Sequence, residues 1–341
     1  MSLHRPAQHV AIWRTEGVRA MARASIHVCM LLALFVPVAT QAQGYPSKPL
    51  RFIVAYPPGG ANDLVGRHMA AELAKALKQT VYVENRPGAG AVIGTKALAE
   101  APPDGYTLGM ATSTSIVTGP LLYKDANYRP LEDFLHVAMI GTFPNVITVR
   151  ADHPARSIHE FLAGAKKSPN KVNYGSAGIG SIGHLTGELL TQVAGVNMLH
   201  IPYKGTAQAT LDLLGGQIEA MFDGLPTAAQ QTRAGRVRML ATTGLQREQS
   251  ATDIPALSEA VPGLSGVAWL GIAVPAKTPA AATIRLRDEF VRIIAAPETR
   301  KSLLDLGMTP TGITGQEFTD FIQSEIRKWG QAISAANVRV E

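Results

Sequence analysis

The sequence predicts an α/β protein of mostly parallel sheets flanked by helices, arranged as two similar lobes. Three observations carry this. Short apolar runs alternate with helical stripes along most of the chain, the pattern of successive βαβ units. The runs end in glycine-rich loops that open straight into helices, as in Tyr56-Pro57-Pro58-Gly59-Gly60 and Gly178-Ile179-Gly180-Ser181-Ile182-Gly183. The chain also echoes itself. Asp63-Leu64-Val65-Gly66 with Glu72-Leu73 follows the first loop, and His184-Leu185-Thr186-Gly187 with Glu188-Leu189 follows the second.

Residues 1–42 read as a secretory signal peptide. Arg14, Arg19 and Arg23 precede an apolar run over residues 28–38, and Thr40-Gln41-Ala42 supplies the small residues of a cleavage site. Met21 would give a more ordinary leader. The single cysteine, Cys29, leaves with it, which excludes thiol catalysis, thiolate metal sites and disulfides in the mature chain. The net charge of +6 falls to +3 once Arg5, Arg14, Arg19, Arg23 and Glu16 are gone. That excess is too mild for nucleic acid, and no basic cluster interleaved with aromatics occurs. No later apolar run is long enough to span a bilayer.

The elements follow in order. Residues 50–55 form a strand, and residues 62–78 a helix with Val65, Met69, Leu73 and Leu77 on one face. Residues 80–83 form a strand, 91–100 a helix, and 107–111 a strand closing in Thr112-Ser113-Thr114-Ser115. Residues 137–140 and 146–149 are two apolar segments parted by Gly141 to Asn145, a passage between lobes. A second series then begins: helix 157–167, strand 171–174, and a helix marked by Leu185, Leu189 and Val193. Strand 198–201, the turn Pro202-Tyr203-Lys204-Gly205, a helix through Leu211 and Leu214, and strand 218–222 complete it. Strands 238–242 and 268–274 follow, the latter returning to the first lobe. Helices 281–295 and 316–335 finish the chain, the last with Phe318, Ile322, Ile326, Trp329 and Ile333 on one stripe. Lobe 1 is thus residues 43–142 with 269–341, and lobe 2 residues 143–268.

A strand that ends in Pro-Pro-Gly-Gly and opens a helix leaves free amides at the positive end of the helix dipole, an anion site or simply a βα turn. The second loop is a literal G-x-G-x-x-G. A dinucleotide site would need an acid at the end of the next strand, where the chain instead reads His200-Ile201-Pro202-Tyr203-Lys204. What survives is a set of helix-start amides with Ser181 as a further donor. Asp152-His153 and His159-Glu160 are adjacent pairs that point apart, so no metal site is expected. No G-x-S-x-G elbow occurs, and no catalytic residue is assigned. His184 reads as a helix-capping group, Asp63 as a first-turn acid or a ligand contact, and Asp223 as a cap or a partner for a ligand ammonium. Thr112 and Ser113 end a strand where hydroxyls fit a polar cradle, and Trp269 and Trp329 read as packed aromatics.

At these positions the chain resembles a known family. Tyr56-Pro57-Pro58-Gly59-Gly60 with Asp63, Val83 to Gly90, Pro103-Asp104-Gly105-Tyr106-Thr107, Asn173 to Ser181 with His184-Leu185, Pro202-Tyr203-Lys204-Gly205 and Met221-Phe222-Asp223 resemble Bug-type receptors. These are the periplasmic solute-binding proteins of tripartite tricarboxylate transporters. The motifs span essentially the whole chain after the leader. The resemblance implies a type II-like periplasmic binding protein fold, two α/β lobes joined by a two-stranded hinge, with no cofactor and no enzymatic activity. It implies a monomer that closes on a small carboxylate and serves membrane permease subunits. It also implies capture by main-chain amides at Gly59, Gly60 and Ala61 on one side and Gly178, Ile179, Gly180 and Ser181 on the other. Tyr56, Pro58, Asp63, Thr112, Ser113, Ser176, His184, Tyr203, Lys204 and Asp223 complete the expected ligand set. Two places depart from the pattern: Gly88-Ala89-Gly90-Ala91, where a further glycine is common, and Tyr56, where Phe is frequent and whose hydroxyl bears on ligand choice. A sensing receptor for a signalling partner is the alternative role, and an exported hydrolase using His184 or Asp223 a more distant one.

Overall fold

The computed structural model describes residues 44–168 and 172–340; the expected signal peptide, residues 1–42, lies outside the described residues. One ten-stranded sheet organises the chain. Its strands are β1 (Leu50–Val54), β2 (Val81–Asn85), β3 (Thr107–Thr112), β4 (Phe134–Arg150), β5 (Val172–Ser176), β6 (Met198–Pro202), β7 (Ala220–Gly224), β8 (Val237–Thr242), β9 (Val267–Pro275) and β10 (Thr309–Pro310). They lie in the order β2-β1-β3-β9-β4-β7-β5-β6, with β8 and β10 also paired to β4.

Two parallel triplets, β2-β1-β3 and β6-β5-β7, stand on either side of an antiparallel centre formed by β9 and β4. The triplets are the structural form of the sequence echo. Each central strand ends in a glycine loop that starts a helix, α1 (Ala61–Leu77) after β1 and, after α2 (Val92–Ala99) and α3 (Ile158–Lys167), α4 (Ile182–Ala194) after β5. The remaining long helices are α5 (Thr206–Leu214), α6 (Leu225–Arg233), α7 (Ala280–Ala295), α8 (Pro297–Asp305) and α9 (Gly315–Ala335).

The apolar stripes do the anchoring. Val65, Met69 and Leu73 of α1 are fully buried and pack with Leu286 and Phe290 of α7 around Leu50, Phe52 and Leu108 of the first triplet. Phe161, Leu190, Tyr174 and Phe222 lie in the core of the second triplet. On α9, Phe318, Ile322 and Trp329 pack with Trp269 of β9, and Trp329 Nε1 donates to Glu325 Oε2 at 2.9 Å, which accounts for a buried acid on that stripe. Ile326 and Ile333 are partly buried against the same cluster.

Four local expectations are corrected. The two segments expected at 137–140 and 146–149 are one 17-residue strand, β4. Gly141 to Asn145, expected to part the two segments, lie inside the strand, whose pairing with β9 shifts register before them at His136/Ala138 and Met139/Gly141. The Thr112–Ser115 run does not simply close β3: Thr112 caps a π-helical turn, Ser113–Thr118. In α4 the buried apolar residues are Ile182, Leu185 and Leu190, whereas Val193 is exposed, so the stripe runs one residue off the expected Leu189 and Val193. Helices α6 and α8 were not anticipated; each carries a proline, Pro226 or Pro297, in its first turn, where the missing N–H costs nothing.

Candidate functional site

Five helical N-caps line one cavity of ≈ 50 Å³: Gly60 of α1, Thr112 of the π-helical turn, Ser181 of α4, Gly205 of α5 and Gly224 of α6. The first residues of these helices, Ala61, Asn62, Ile182, Gly183 and Thr206, line it as well. Amides in a first helical turn have no partner within the helix, and each helix start carries about half a positive charge. The wall contains no Asp, Glu, Lys, Arg or His. Its one titratable group, Tyr56, is held as the neutral phenol because burial raises its pKa. The cavity is therefore positive through dipoles alone, which favours an anion that brings several acceptor oxygens.

The first loop is braced from behind. Asp63 is buried and accepts from Gly59 N at 2.9 Å, Arg67 Nε at 2.9 Å and Asn85 Nδ2 at 2.7 Å. Burial raises its pKa, and those hydrogen bonds more than offset it, so the carboxyl stays below its ordinary value. Both oxygens of Asp63 and the amide of Gly59 are thus engaged within the loop. Pro58 and Gly59 are exposed, and Gly60, Ala61 and Asn62 form the face turned to the cavity. Tyr56 OH shares a hydrogen bond with Thr112 Oγ1 at 3.1 Å, and Ser113 Oγ accepts from Trp269 N at 2.7 Å.

The second loop is equally self-contained. Gly178 N donates to Ser176 Oγ at 3.2 Å, Ser181 N to Gly178 O at 3.1 Å, and Gly180 N to His184 Nδ1 at 3.1 Å. Ser181 Oγ donates to Ser176 Oγ at 3.2 Å and accepts from His184 N at 3.2 Å. Three of the four amides expected to hold the ligand are therefore spent inside the loop, and so is the Ser181 hydroxyl. The face toward the cavity is Ala177, Ser181, Ile182 and Gly183. His184 stacks on His200 with centroids 3.9 Å apart, and His200 Nε2 shares a 2.7 Å hydrogen bond with Ser176 Oγ. Burial pushes His184 down to about 4, and burial plus His184 pushes His200 down to about 3. A neutral His184 is what lets Nδ1 accept the Gly180 amide.

Tyr203 and Lys204 line a separate crevice of ≈ 170 Å³ with Gly178 and Ile179; Tyr56 and Ala177 border both spaces. Tyr203 OH donates to Asp212 Oδ2 at 2.8 Å. Asp223 lies behind the cavity wall between Phe222 and Gly224, and strand alternation turns it away from them. It is buried, and burial pushes its carboxyl up to about 8. The hydroxyls of Thr206 and Thr227 stand near enough to ease its ionisation, yet neither they nor Asp223 Oδ1 closes a hydrogen bond of good geometry. Among the described residues no group of three His, Cys, Asp or Glu is placed to hold a metal ion.

The two sides of the cavity touch. A Cβ built on Gly60 would lie 3.0 Å from Thr206 Oγ1, one on Gly205 2.7 Å from Pro57 Cδ, and one on Gly180 2.7 Å from Leu122 Cδ1. Tyr123 OH donates to Ile179 O at 3.3 Å, and Thr118 Oγ1 donates to Gly180 O. Sequence reasoning missed Gly205 and Gly224, although each carries the same strand-glycine-helix signal as the loops it did find. It also missed Asn145 and Trp269 as wall residues, and their positions inside strands offered no such signal.

A model of the tripartite tricarboxylate transporter family receptor matches residues 65–338. The chain belongs to this receptor family. Its members are solute-binding proteins rather than enzymes, and they adopt the two-lobed periplasmic binding protein fold. A UPF0065 protein from the tcbD–tcbE intergenic region of Pseudomonas sp. (strain P51) is 35% identical over 297 residues, 86% of this chain and 88% of the relative. The periplasmic binding protein BugD superposes with a TM-score of 0.83 at 33% identity, over 87% of this chain and 100% of BugD. An R. palustris protein solved with adipate gives 0.84 at 29% identity, over 86% of this receptor and 99% of that chain. MatC from Rhodopseudomonas palustris, solved with bound malate, gives 0.78 at 28% identity, over 85% and 100%. No described helix of the receptor is long and apolar enough to cross a membrane.

Proposed function

We propose that this receptor captures a small carboxylate in the periplasm, between a first lobe of residues 43–142 with 269–341 and a second of residues 143–268, and hands it to a membrane permease. The observation that carries the reading is the convergence of helix starts from both sets of residues on one wall free of charged side chains. A carboxylate offers two oxygens and a full negative charge, which suits several dipoles and first-turn amides on opposite faces. Contacts made only when both faces meet bias the open and closed forms toward closure. The crossings at Pro144–Asn145 of β4 and at the start of β9 serve as the hinge. Adipate and malate in two solved relatives support the ligand class. Permease delivery rests on the family's place in tripartite transporters.

Isothermal titration with di- and tricarboxylates, aromatic acids and amino acids tests this. The expected result is one-to-one binding of at least one carboxylate, recovered unchanged afterwards. Turnover of a ligand, with no acid binding, would overturn the reading.

A further inference from the structure

Two donors at the cavity wall are left without work. Asn145 Nδ2 and Trp269 Nε1 are buried polar atoms with no hydrogen-bond partner, and both residues line the cavity. Asn145 is 7% exposed and Trp269 1%. An indole nitrogen can only donate, and a buried donor without an acceptor is destabilising, so native proteins rarely leave one. Trp329, equally buried, shows the usual solution by donating to Glu325 Oε2.

Both residues are held firmly by other means. The Asn145 main chain is clamped to Thr243, through Asn145 N to Thr243 Oγ1 at 2.9 Å and Thr243 N to Asn145 O at 2.8 Å. The Trp269 amide is bound by Ser113 Oγ, and its ring meets Phe318 and Phe321 edge-on at 5.5 and 5.8 Å. Rigid backbones and a wedged ring fix where the two N–H groups can go. Neither belongs to a helix start: Asn145 is in β4 and Trp269 in β9, on the sheet floor between the two sets of helix N-termini.

We infer that Asn145 and Trp269 are ligand-contacting residues whose side-chain N–H groups bind acceptor oxygens of the guest beyond its first carboxylate, and so set specificity for acids that carry a second oxygenated group. The inference rests on the proposed carboxylate site and adds side chains to its main-chain donors. Dipoles at helix starts attract any carboxylate alike, whereas two fixed N–H groups discriminate by where the next acceptor falls. A guest with a methyl group there would leave both donors buried and unsatisfied.

The test pairs indole NMR with calorimetry on the mature receptor, using ¹⁵N-tryptophan-labelled protein titrated with malonate, succinate, malate, glutarate, adipate and butyrate. The expected result is that the Trp269 indole N–H moves as a diacid saturates the site while the Trp329 indole stays in place. Trp269→Phe keeps the ring and removes the donor. It should weaken the best diacid at least tenfold and butyrate less than twofold, and Asn145→Ala should weaken in the same sense. A saturated receptor with an unmoved Trp269 signal overturns the inference, and because that signal comes from wild-type protein it stands even if a variant fails to fold. Equal losses for succinate and butyrate overturn the assignment to a second group. Absence of any carboxylate binding is a different result, which removes the underlying site as well.

Discussion

Asp223 and the buried histidines place opposite demands on pH. Asp223 has its carboxyl raised by burial to about 8, so its contribution to stability is complete below the unfolded value and is lost as pH rises toward 8. His136 and His184 are pushed down to about 4 and His200 to about 3, chiefly by burial. Their contribution is present above about 6.5 and is lost as pH falls through 4. Between 4 and 6.5 these three histidines outweigh Asp223, and above 6.5 the contribution of Asp223 continues to fall. Thermal unfolding should therefore show a maximum Tm near pH 6.5 with a decline toward pH 8. Asp223→Asn should flatten the alkaline decline and leave the acidic limb in place; an unchanged decline would contradict the burial argument. The shifts themselves were not legible in the sequence, which offered His184 as a helix cap or ligand contact and Asp223 as a cap or ammonium partner but not the burial that moves their protons. Burial is a property of what packs around a group, and residues distant in the chain supply it.

Elements were legible wherever one period dominated. Helix α1 shows its Val65-Met69-Leu73-Leu77 face in the sequence and buries all four. Strand β4 was hidden because Gly141, Pro144 and Asn145 carry turn chemistry, yet each has a long-range reason to be there. A Cβ on Gly141 would lie 2.3 Å from Thr309 O, so only glycine lets β10 pair at that point. Pro144 stands at the end of the β9 pairing, and Asn145 begins the pairing with β7. Gly141→Ala should cost about 1–3 kcal/mol, since backbone must shift to admit the methyl. Urea unfolding would measure it, and a change below about 0.5 kcal/mol would mean that β10 is free to move away.

At the scale of the whole molecule, glycines let the two sides of the cleft meet. Gly60 is the informative one, because its φ of −85° suits any residue while its Cβ would press on Thr206 Oγ1 at 3.0 Å. Gly60→Ala should therefore hinder closure without straining the backbone. We expect affinity to fall about tenfold, roughly 1.4 kcal/mol, with Tm lowered by only a few degrees; calorimetry and scanning calorimetry read the two separately. Undiminished affinity would show that closure does not need this contact. The glycine loops and the echo between halves exposed the two-sided plan in the sequence. The partners of those loops were not exposed: the amides of Gly178, Gly180 and Ser181 turn inward, and the residues that face the cavity are Ala177, Ser181, Ile182 and Gly183 beside the strand floor.

The central claim is that a wall without charged side chains holds an anion by oriented dipoles. Titrating the tightest-binding carboxylic acid beside its primary amide, which keeps shape and loses the charge, tests it most directly. The account predicts that the acid binds at least a hundredfold more tightly than the amide at neutral pH. Equal affinities would contradict it, because the cleft would then be reading shape rather than the carboxylate.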